Sequence, residues 1–560
     1  MGGFVVFQLL KFEIIWIVEV VILLIIVGFA FLVQQQSVYE KQRAFYTALK
    51  KINENEIKSI KSQENIYADG AEFVNDEHSY TSDLDIFGRA SLFNLVNRCS
   101  SPVGIDLLAD WFKKADEEEN IRQRQEAIKE LGTKPGWVQH VKALLWPTKG
   151  TSRTDIDNLL GYFITEGNSF SPYLKTYISL VPYLFLVSAV GAWFFPWFTL
   201  ILGLIVLSNA CLVVSNQLKV NSTDRMLSRV GKTLSAYAEG FDKIEAETWT
   251  SSLCVSLKQQ MGSSFASELK QLSILVGRLE YRLNMFVGPL LNGIAAWDVR
   301  QLIAIEDWKR ANRDLMPRAF HSLATFEALI SLSSLYTNYP GWCFPEIEKQ
   351  EGYTFTAQDL AHPLIPDSHR VSNSFSLENT RHIDIVTGSN MAGKSTFLRT
   401  VGINAVLAFS GAPVCARTMK ITVMHLFAYM RIRDSLNESI STFKAELNRL
   451  KLLLDVLQQE RKVYFLIDEM LRGTNSVDKY RGSKALIEKL VHQEAVGIVA
   501  THDLQLAELE EKYPRYIRNF YFDIQVIEGE MRFDYKLKEG ECKTFNASLL
   551  LKQIGIDVDV

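Results

Sequence analysis

The sequence lacks both a cysteine framework and an excess of basic residues. Its six cysteines are scattered over 560 residues with no C-x-x-C pair, which excludes a disulfide-stapled fold and a cysteine-based zinc site. Lysine and arginine number 60 against 64 acidic residues, a net charge of −4. That balance gives no global nucleic-acid signature, although a local basic patch would be enough to bind one. We interpret the cysteines as reduced intracellular thiols.

Two stretches of the chain contain almost no charge. Residues 14–33 are apolar except for Glu19, and residues 176–218 have no charged side chain over 43 positions. About 20 apolar residues in a helix span the hydrocarbon core of a bilayer. Gly191 and Pro196 predict a tight turn near the middle of the second stretch. We therefore predict one membrane helix followed by a membrane hairpin; the alternatives are a signal peptide or a buried helix for the first stretch, and a buried soluble hairpin for the second.

Basic residues predict the orientation of these segments. Lys41, Arg43, Lys50 and Lys51 follow the first apolar stretch, and a lysine stands on each side of the second. Because basic flanks remain in the cytoplasm, we expect a multi-pass protein of the inner (cytoplasmic) membrane. Its core and C-terminal domain would then lie in the cytoplasm and its N-terminus outside.

Changes in periodicity divide the chain into segments. Apolar residues recur at helical spacing in the first part, whereas short β-rich runs alternate with helical patterns after the NYPGWCFPEIE segment. The predicted fold class is multidomain, with transmembrane helices, an all-α core or lever region, and a C-terminal α/β P-loop ATPase domain built on a largely parallel sheet. The predicted segments are an N-terminal transmembrane helix at 1–33, a helical linker at 34–80, the first part of the helical core at 81–175, a transmembrane hairpin at 176–218, the second part of the core at 219–340, and the ATPase domain at 341–560.

A phosphate-binding motif lies near the start of the α/β region. The run TGSNMAGKST fits G-x-x-x-x-G-K-[ST], follows the apolar strand IDIV and precedes a helical pattern. In such a loop the backbone N–H groups surround the phosphates, the lysine reaches the β- and γ-phosphates, and the next hydroxyl binds Mg²⁺. We predict that ATP is bound by Gly388, Ser389, Asn390, Met391, Ala392, Gly393, Lys394, Ser395 and Thr396. Lys394 is also a predicted catalytic residue, and Ser395 a predicted Mg²⁺ ligand.

Two later strands end in residues suited to hydrolysis. The run YFLIDE ends in Asp468, a candidate for holding Mg²⁺, and Glu469, a candidate general base for the attacking water. The run AVGIVATHD contains His502, which we predict to contact a γ-phosphate or the same water. A polar residue at a strand end is common, so His502 is a candidate only in combination with the other two motifs.

These motifs resemble the ATPase domain of the MutS family. TGSNMAGKST, DSLNESISTFKAEL, IDEMLRGTNSVD and VATHD occur in the family's order and at similar spacing. The resemblance implies an ATPase acting as a homodimer through its ATPase domains, with ATP and Mg²⁺ as the only cofactors. It implies that Ser441 completes the partner subunit's ATP site in trans. It also implies that the segment containing Arg472, Gly473, Thr474 and Asp478 couples the two sites.

The sequence also departs from the family pattern. About eighty residues precede the helical core, so we expect the family's mismatch-reading and connector domains to be missing, and we see no clear C-terminal helix-turn-helix. One hypothesis is a membrane-anchored ATPase that couples hydrolysis to DNA binding, as in mismatch repair or recombination relatives. The alternative is a mechanical or signalling ATPase that acts on membrane partners and has no DNA role. An ABC-type transporter ATPase would need an LSGGQ-like signature, where this chain has NESISTF.

Overall fold

The computed structural model describes residues 2–167, 169–378, 382–389, 391–430, 442–472, 475–527 and 530–542. Helices make up the chain as far as Asn338, and strands and helices alternate after it. The predicted helical region followed by an α/β region is therefore confirmed. The α-helices of the described residues are α1 (Gly2–Ser62), α2 (Leu92–Val96), α3 (Pro102–Lys113), α4 (Glu118–Gly132), α5 (Pro135–Leu145), α6 (Arg153–Ile164), α7 (Pro172–Phe194), α8 (Phe198–Ala246), α9 (Ser252–Met261), α10 (Phe265–Leu279), α11 (Val287–Ala295), α12 (Trp297–Asn312), α13 (Leu315–Asn338), α14 (Lys394–Ser410), α15 (Thr442–Gln459), α16 (Ser476–His492) and α17 (Leu509–Lys512).

Among the described residues, three helices are long and apolar enough to cross a membrane. They are the part of α1 from Val20, the whole of α7, and α8 as far as Gly231. The chain turns between α7 and α8 over residues 195–197, so Pro196 lies in the turn, as predicted, whereas Gly191 lies inside α7. Both α1, with 61 residues, and α8, with 49, continue without a break from apolar sequence into polar sequence.

The polar end of α1 docks on the helical core. Ala48 and Ile52 are buried there against Ala143 of α5. Next to them, Glu56 accepts hydrogen bonds from Arg98 and from Lys142, both at 2.8 Å through Oε1. The two cationic side chains are 1% and 6% exposed, so this cluster is a buried network that ties α1 to the loop before α3 and to α5.

Helix α13 forms the centre of the core. Sixteen of its residues are buried. One of them, Glu327, accepts hydrogen bonds from the backbone N–H groups of Ser100, at 2.8 Å, and Ser101, at 3.1 Å. Ser101 is the N-cap of α3, so a buried carboxyl group on α13 satisfies donors at the start of a neighbouring helix.

The strands of the described residues form two sheets. A six-stranded sheet has the order β10-β9-β4-β8-β7-β6, in which only β10 is antiparallel to its neighbour, and a four-stranded mixed sheet has the order β1-β5-β2-β3. The strands β4, β7 and β8 are buried along their whole length, as expected of parallel strands covered on both faces. The strands are β1 (Glu346–Glu348), β2 (Phe355–Leu360), β3 (Asn373–Leu377), β4 (Ile383–Gly388), β5 (Thr418–Thr422), β6 (His425–Tyr429), β7 (Val463–Asp468), β8 (Val496–Thr501), β9 (Ile517–Ile527) and β10 (Glu530–Glu539).

The loop after α1 joins the helical core to the α/β region. The carboxylate of Asp83 accepts hydrogen bonds from the backbone N–H of Met430, at 2.8 Å, and from Arg449 on α15, at 3.0 Å. Asp85 forms an ion pair with Arg399 on α14. One short segment therefore contacts the end of β6 and two helices of the α/β region.

Candidate functional site

The loop between β4 and α14 has the backbone geometry of a close turn. Gly388 has φ of 146°, Met391 of 70° and Gly393 of 110°, which places all three in the region that favours glycine. A Cβ on Gly388 would lie 2.7 Å from the carbonyl oxygen of Phe522. Gly388 is therefore required by its conformation and also by the strand beside it.

Lys394 folds back over this loop. Its Nζ donates hydrogen bonds to the carbonyl oxygens of Gly388 and Ser389, both at 2.8 Å. The side chain is buried, and burial lowers its pKa, against the opposing effect of the Glu469 and Asp468 carboxylates. A positive group is thus held inside the loop, next to two acidic residues.

Asp468 lies at the end of β7, where its carboxylate accepts a hydrogen bond from Ser395 on the first turn of α14. Asp468 is only 5% exposed. Burial raises the pKa of Asp468, and the Ser395 hydrogen bond and the Arg472 charge offset only part of that effect. The predicted pair of Mg²⁺ ligands is therefore in direct contact.

Glu469 is held by two partners on opposite sides. Its Oε1 lies 3.0 Å from Nδ1 of His502, and its Oε2 lies 3.2 Å from Nε of Arg472. Burial on its own would raise the pKa of Glu469, but the hydrogen bond and charge of His502, followed by the charge of Arg472, leave it below its usual value. Glu469 also has φ of 57°, an uncommon conformation for a non-glycine residue and one that is often found at functional sites.

The register of the sheet explains why these residues meet. In the pairing of β4 with β8, Thr387 lies opposite Thr501, and in the pairing of β7 with β8, Asp468 lies opposite Ala500. Since the three strands are parallel, the loop, the acidic pair and His502 all emerge at one edge. The structure thus brings together Lys394, Ser395, Asp468, Glu469 and His502.

A cavity of about 560 Å³ opens beside the loop. Met391, Gly393, Ser395 and Thr396 line it together with Lys394 and Glu469. Its lining also includes His362 and Tyr535. Ala392, in contrast, is buried and is not among its lining residues. Lys394, Ser395 and Glu469 therefore border a space large enough for a small-molecule ligand.

Two neighbours of the acidic pair were not predicted as site residues. Glu446 on α15 is 1% exposed, and its Oε1 accepts a hydrogen bond from the backbone N–H of Arg472 at 3.1 Å. Nζ of Lys479 lies 3.3 Å from Nε2 of His502. The signal for Glu446 was present in the sequence, because it occupies the same helical stripe as the buried Leu450 and Leu453. Nothing in the sequence marked Lys479.

Some predicted residues lie outside the described part of the chain. They are Asn390, Ser441, Gly473 and Thr474. The structure therefore leaves the predicted role of Ser441 in trans as a prediction.

Comparison with known proteins agrees with this architecture. The family model described as MutS domain V matches residues 384–551. The chain is 32% identical over 226 residues to the DNA mismatch repair protein MutS of Aquifex pyrophilus, covering 39% of this chain and 26% of that protein. It is 29% identical over 238 residues to the protein of that name from Thermotoga maritima, 41% of this chain and 29% of the relative. With the DNA mismatch repair protein MSH4 of Arabidopsis thaliana it is 31% identical over 198 residues, 35% of this chain and 24% of the relative.

A helical region joined to a mixed α/β domain, with a glycine-rich loop at the edge of its parallel sheet, is an architecture that fits MutS proteins. The matched region lies in the C-terminal part of the chain. Residues 384–551 of the chain therefore belong to the MutS domain V family. The chain spans about a quarter of the length of the curated relatives it matches.

Proposed function

We propose that this chain is a membrane-anchored MutS-family ATPase, which binds and hydrolyses ATP in a site completed by a second copy of the chain. The observation that carries the proposal is the meeting of Lys394, the Ser395–Asp468 pair and the Glu469–His502 pair at one edge of the parallel sheet, beside a cavity. Phosphoryl transfer needs a cationic cradle for the phosphates, a metal ligand set and a group that positions water. This edge offers a residue for each of them.

The residues at this edge fit Mg²⁺ and ATP. Among the described residues no group of three or more His, Cys, Asp or Glu side chains could hold a metal ion. Mg²⁺ bound with a nucleotide typically uses one or two protein oxygens and takes its other ligands from phosphates and water. Ser395 and Asp468 would supply those oxygens, and the ion would neutralise charge that develops on the phosphates. The Lys394 ammonium would move from the Gly388 and Ser389 carbonyls to the phosphates.

Glu469 supports hydrolysis because its pKa is held below the usual value, so that it is ionised at neutral pH. An ionised carboxylate can accept a hydrogen bond from water and orient it. His502 contacts Glu469 through Nδ1, and we assign it the role of positioning that carboxylate. This differs from the sequence-based hypothesis that His502 itself contacts the phosphate or the water.

Membrane attachment is supported by the three apolar helices and by their basic flanks. We propose a multi-pass protein of the inner membrane with the helical core and the ATPase domain in the cytoplasm. The unbroken course of α1 and α8 favours mechanical coupling to a membrane partner. The relatives are named as DNA mismatch repair proteins, which favours coupling of hydrolysis to DNA binding.

ATP turnover by the purified full-length chain tests the site. We expect Lys394→Ala to abolish turnover and Glu469→Gln to lower kcat by about 10²–10⁴-fold while ATP binding persists. Lys420→Ala, which removes a half-exposed lysine on β5, is the matched control for the first variant. Glu488→Gln, on the outer surface of α16, is the control for the second. Ordinary turnover by Lys394→Ala would refute the assignment.

A mixing experiment tests the composite site. Lys394→Ala and Ser441→Ala should each be inactive, yet a mixture of the two should regain part of the turnover. In the mixed dimer one site is intact, because its lysine comes from the Ser441→Ala copy and its serine from the Lys394→Ala copy. A mixture that stays as inactive as its components would exclude the shared site.

The DNA hypothesis and the mechanical hypothesis can be distinguished with the Glu469→Gln variant, trapped with ATP in membranes. Recovery of DNA, together with duplex binding that weakens steeply as salt increases, would support the DNA hypothesis. Recovery of one membrane protein without DNA would support the mechanical one.

A further inference from the structure

One segment of the helical core has a surface unlike the rest. Residues 283–297 contain no charged side chain, and they include the nine-residue helix α11. Four large apolar side chains of this segment are more than half exposed: Leu283 at 70%, Met285 at 77%, Phe286 at 79% and Leu290 at 62%. Such a cluster on a water-facing surface is unusual in a soluble region.

The segment lies against the apolar hairpin. Gly293 accepts a hydrogen bond through its carbonyl oxygen from Nδ2 of Asn209 on α8, at 2.8 Å. A Cβ on Gly293 would lie 4.0 Å from Val206, one turn away on the same helix. The contact is therefore with the apolar half of α8 and not with its polar continuation.

The contact point can be placed along α8. The uncharged stretch ends at Lys219, ten residues after Asn209. At a rise of about 1.5 Å per residue this is about 15 Å, or half of a hydrocarbon core about 30 Å thick. If the hairpin crosses the bilayer, Gly293 lies below the level of Lys219, and the hydrogen bond from the Asp298 N–H to Asn292, at 2.9 Å, keeps the segment shallow.

The residues that flank the segment on both sides are polar and lie close together. Arg282, just before it, contacts Asn221 of α8 through Nη2 at 2.6 Å and lies 3.5 Å from Asp298, just after it. The rings of Tyr281 and Trp297 stack at the same level, with centroids 6.4 Å apart. Charged residues backed by aromatic rings are typical of a membrane interface.

Several backbone N–H groups at the ends of the segment are paired within the protein. Asn284 Oδ1 accepts hydrogen bonds from the N–H groups of Phe286 and Val287, at 3.0 and 3.1 Å. Asn292 Oδ1 accepts one from the N–H of Asp298 at 2.9 Å. A non-spanning segment can lie at membrane depth only if its backbone groups are paired within the protein, and these asparagines provide partners at both ends of α11.

We propose that residues 283–297 form a shallow re-entrant membrane segment, which enters from the cytoplasmic face beside the hairpin and returns to the same face. Its partner is the acyl-chain region of the bilayer that holds α7 and α8, since the exposed surface is continuous with those helices. This inference rests on the proposed membrane attachment. It changes the predicted topology, which placed all of 219–560 in the cytoplasm.

Spin labels on single cysteines would test this segment in vesicles of phosphatidylethanolamine and phosphatidylglycerol. The background needs only Cys211→Ser and Cys343→Ser, because the other four cysteines are buried. Leu290→Cys and, as a second site, Met285→Cys report on the segment. Leu207→Cys, at 61% exposure on α8, reports on the hairpin, and Gln493→Cys reports on the aqueous surface. The measured quantity is the accessibility of each spin label to two reagents. One is oxygen, which concentrates in lipid, and the other is a water-soluble nickel chelate.

We expect the labels at 290 and 285 to match the label at 207, with high oxygen and low nickel accessibility. If these two labels are nickel-accessible while 207 is in lipid, the re-entrant segment is refuted and the membrane hairpin stands. Protection of 290 and 285 from both reagents would mean that protein, such as a second copy of the chain, covers the segment, and this also overturns the proposal. A nickel-accessible label at 207 would instead refute the membrane attachment.

Discussion

The buried carboxylate of Glu56 predicts how firmly α1 is attached to the core. Replacement by glutamine keeps the shape of the side chain but removes the only anion described between Arg98 and Lys142. Breaking a buried ion pair by removing one partner costs about 3–5 kcal/mol. Arg98 stays charged but keeps hydrogen bonds to the carbonyls of Leu95 and Asn97, both at 3.0 Å.

Deprotonation of Lys142 would further limit the free-energy cost of removing the Glu56 carboxylate. Burial already lowers its pKa, and without the nearby carboxylate it can lose its proton. We therefore expect the lower end of the range, about 3 kcal/mol, or roughly a hundredfold change in an equilibrium constant.

Hydrogen exchange of the 45–62 peptide, followed by mass spectrometry, measures this opening directly. Glu56→Gln should accelerate exchange in that peptide roughly a hundredfold. Glu54→Gln is the matched control, since Glu54 is 57% exposed and 3.8 Å from Lys50. Surface pairs of this kind contribute about 0–1 kcal/mol. Equal exchange in the two variants would show that the Glu56 cluster does not hold α1.

Three further predictions concern the core and the site. Burial raises the pKa of Glu327 from 4.5 to about 7, so the folded chain binds the carboxyl proton more tightly than the unfolded chain does. The stability that this proton contributes is fully present below the unfolded pKa and is lost as pH rises through about 7. As pH rises, hydrogen exchange in α3 and α13 should therefore accelerate more than the intrinsic rate of amide exchange does. Glu327→Gln should remove this additional acceleration. His502→Ala should raise the pKa of Glu469 and move the acidic limb of the kcat/KM profile to higher pH; an unchanged limb would contradict the contact. Gly388→Ala should weaken ATP binding about tenfold or more, measured by calorimetry, whereas Gly277→Ala, with open space around it, should leave binding unchanged.

Much of the α/β region was predictable because its signals are local. The strands β7 and β8 are apolar up to their last residue, and β4 is apolar except for Asp384 until its motif begins at Thr387. Each strand leads into a recognisable motif. The four-stranded sheet was not predicted, because β1 pairs with β5, some seventy residues further along, and pairing at that distance leaves no periodic trace. The helical stripe marked Glu446 as buried, but its contact with Arg472, 26 residues further along, leaves no periodic trace.

The helical region was predictable in type but less so in detail. Apolar periodicity identifies α3, α4 and α13 as helices, but it does not say that Glu327 of α13 caps α3. Residues 283–297 lie within the stretch 219–340 that helical periodicity assigned to the scaffold, and they are too few to cross a bilayer. The contacts of Gly293 with Asn209 and Val206 of α8 place them beside the hairpin.

The continuous course of α1 and α8 has a consequence for what could regulate this protein. A helix without a hinge at the membrane surface cannot change its tilt in lipid without displacing the core to which its other end is attached. Tilt depends on the match between helix length and bilayer thickness, and coupling between two equilibria is reciprocal. With α1 and α8 embedded as proposed, a thinner or thicker bilayer would shift nucleotide affinity, and the lipid composition would act as an effector.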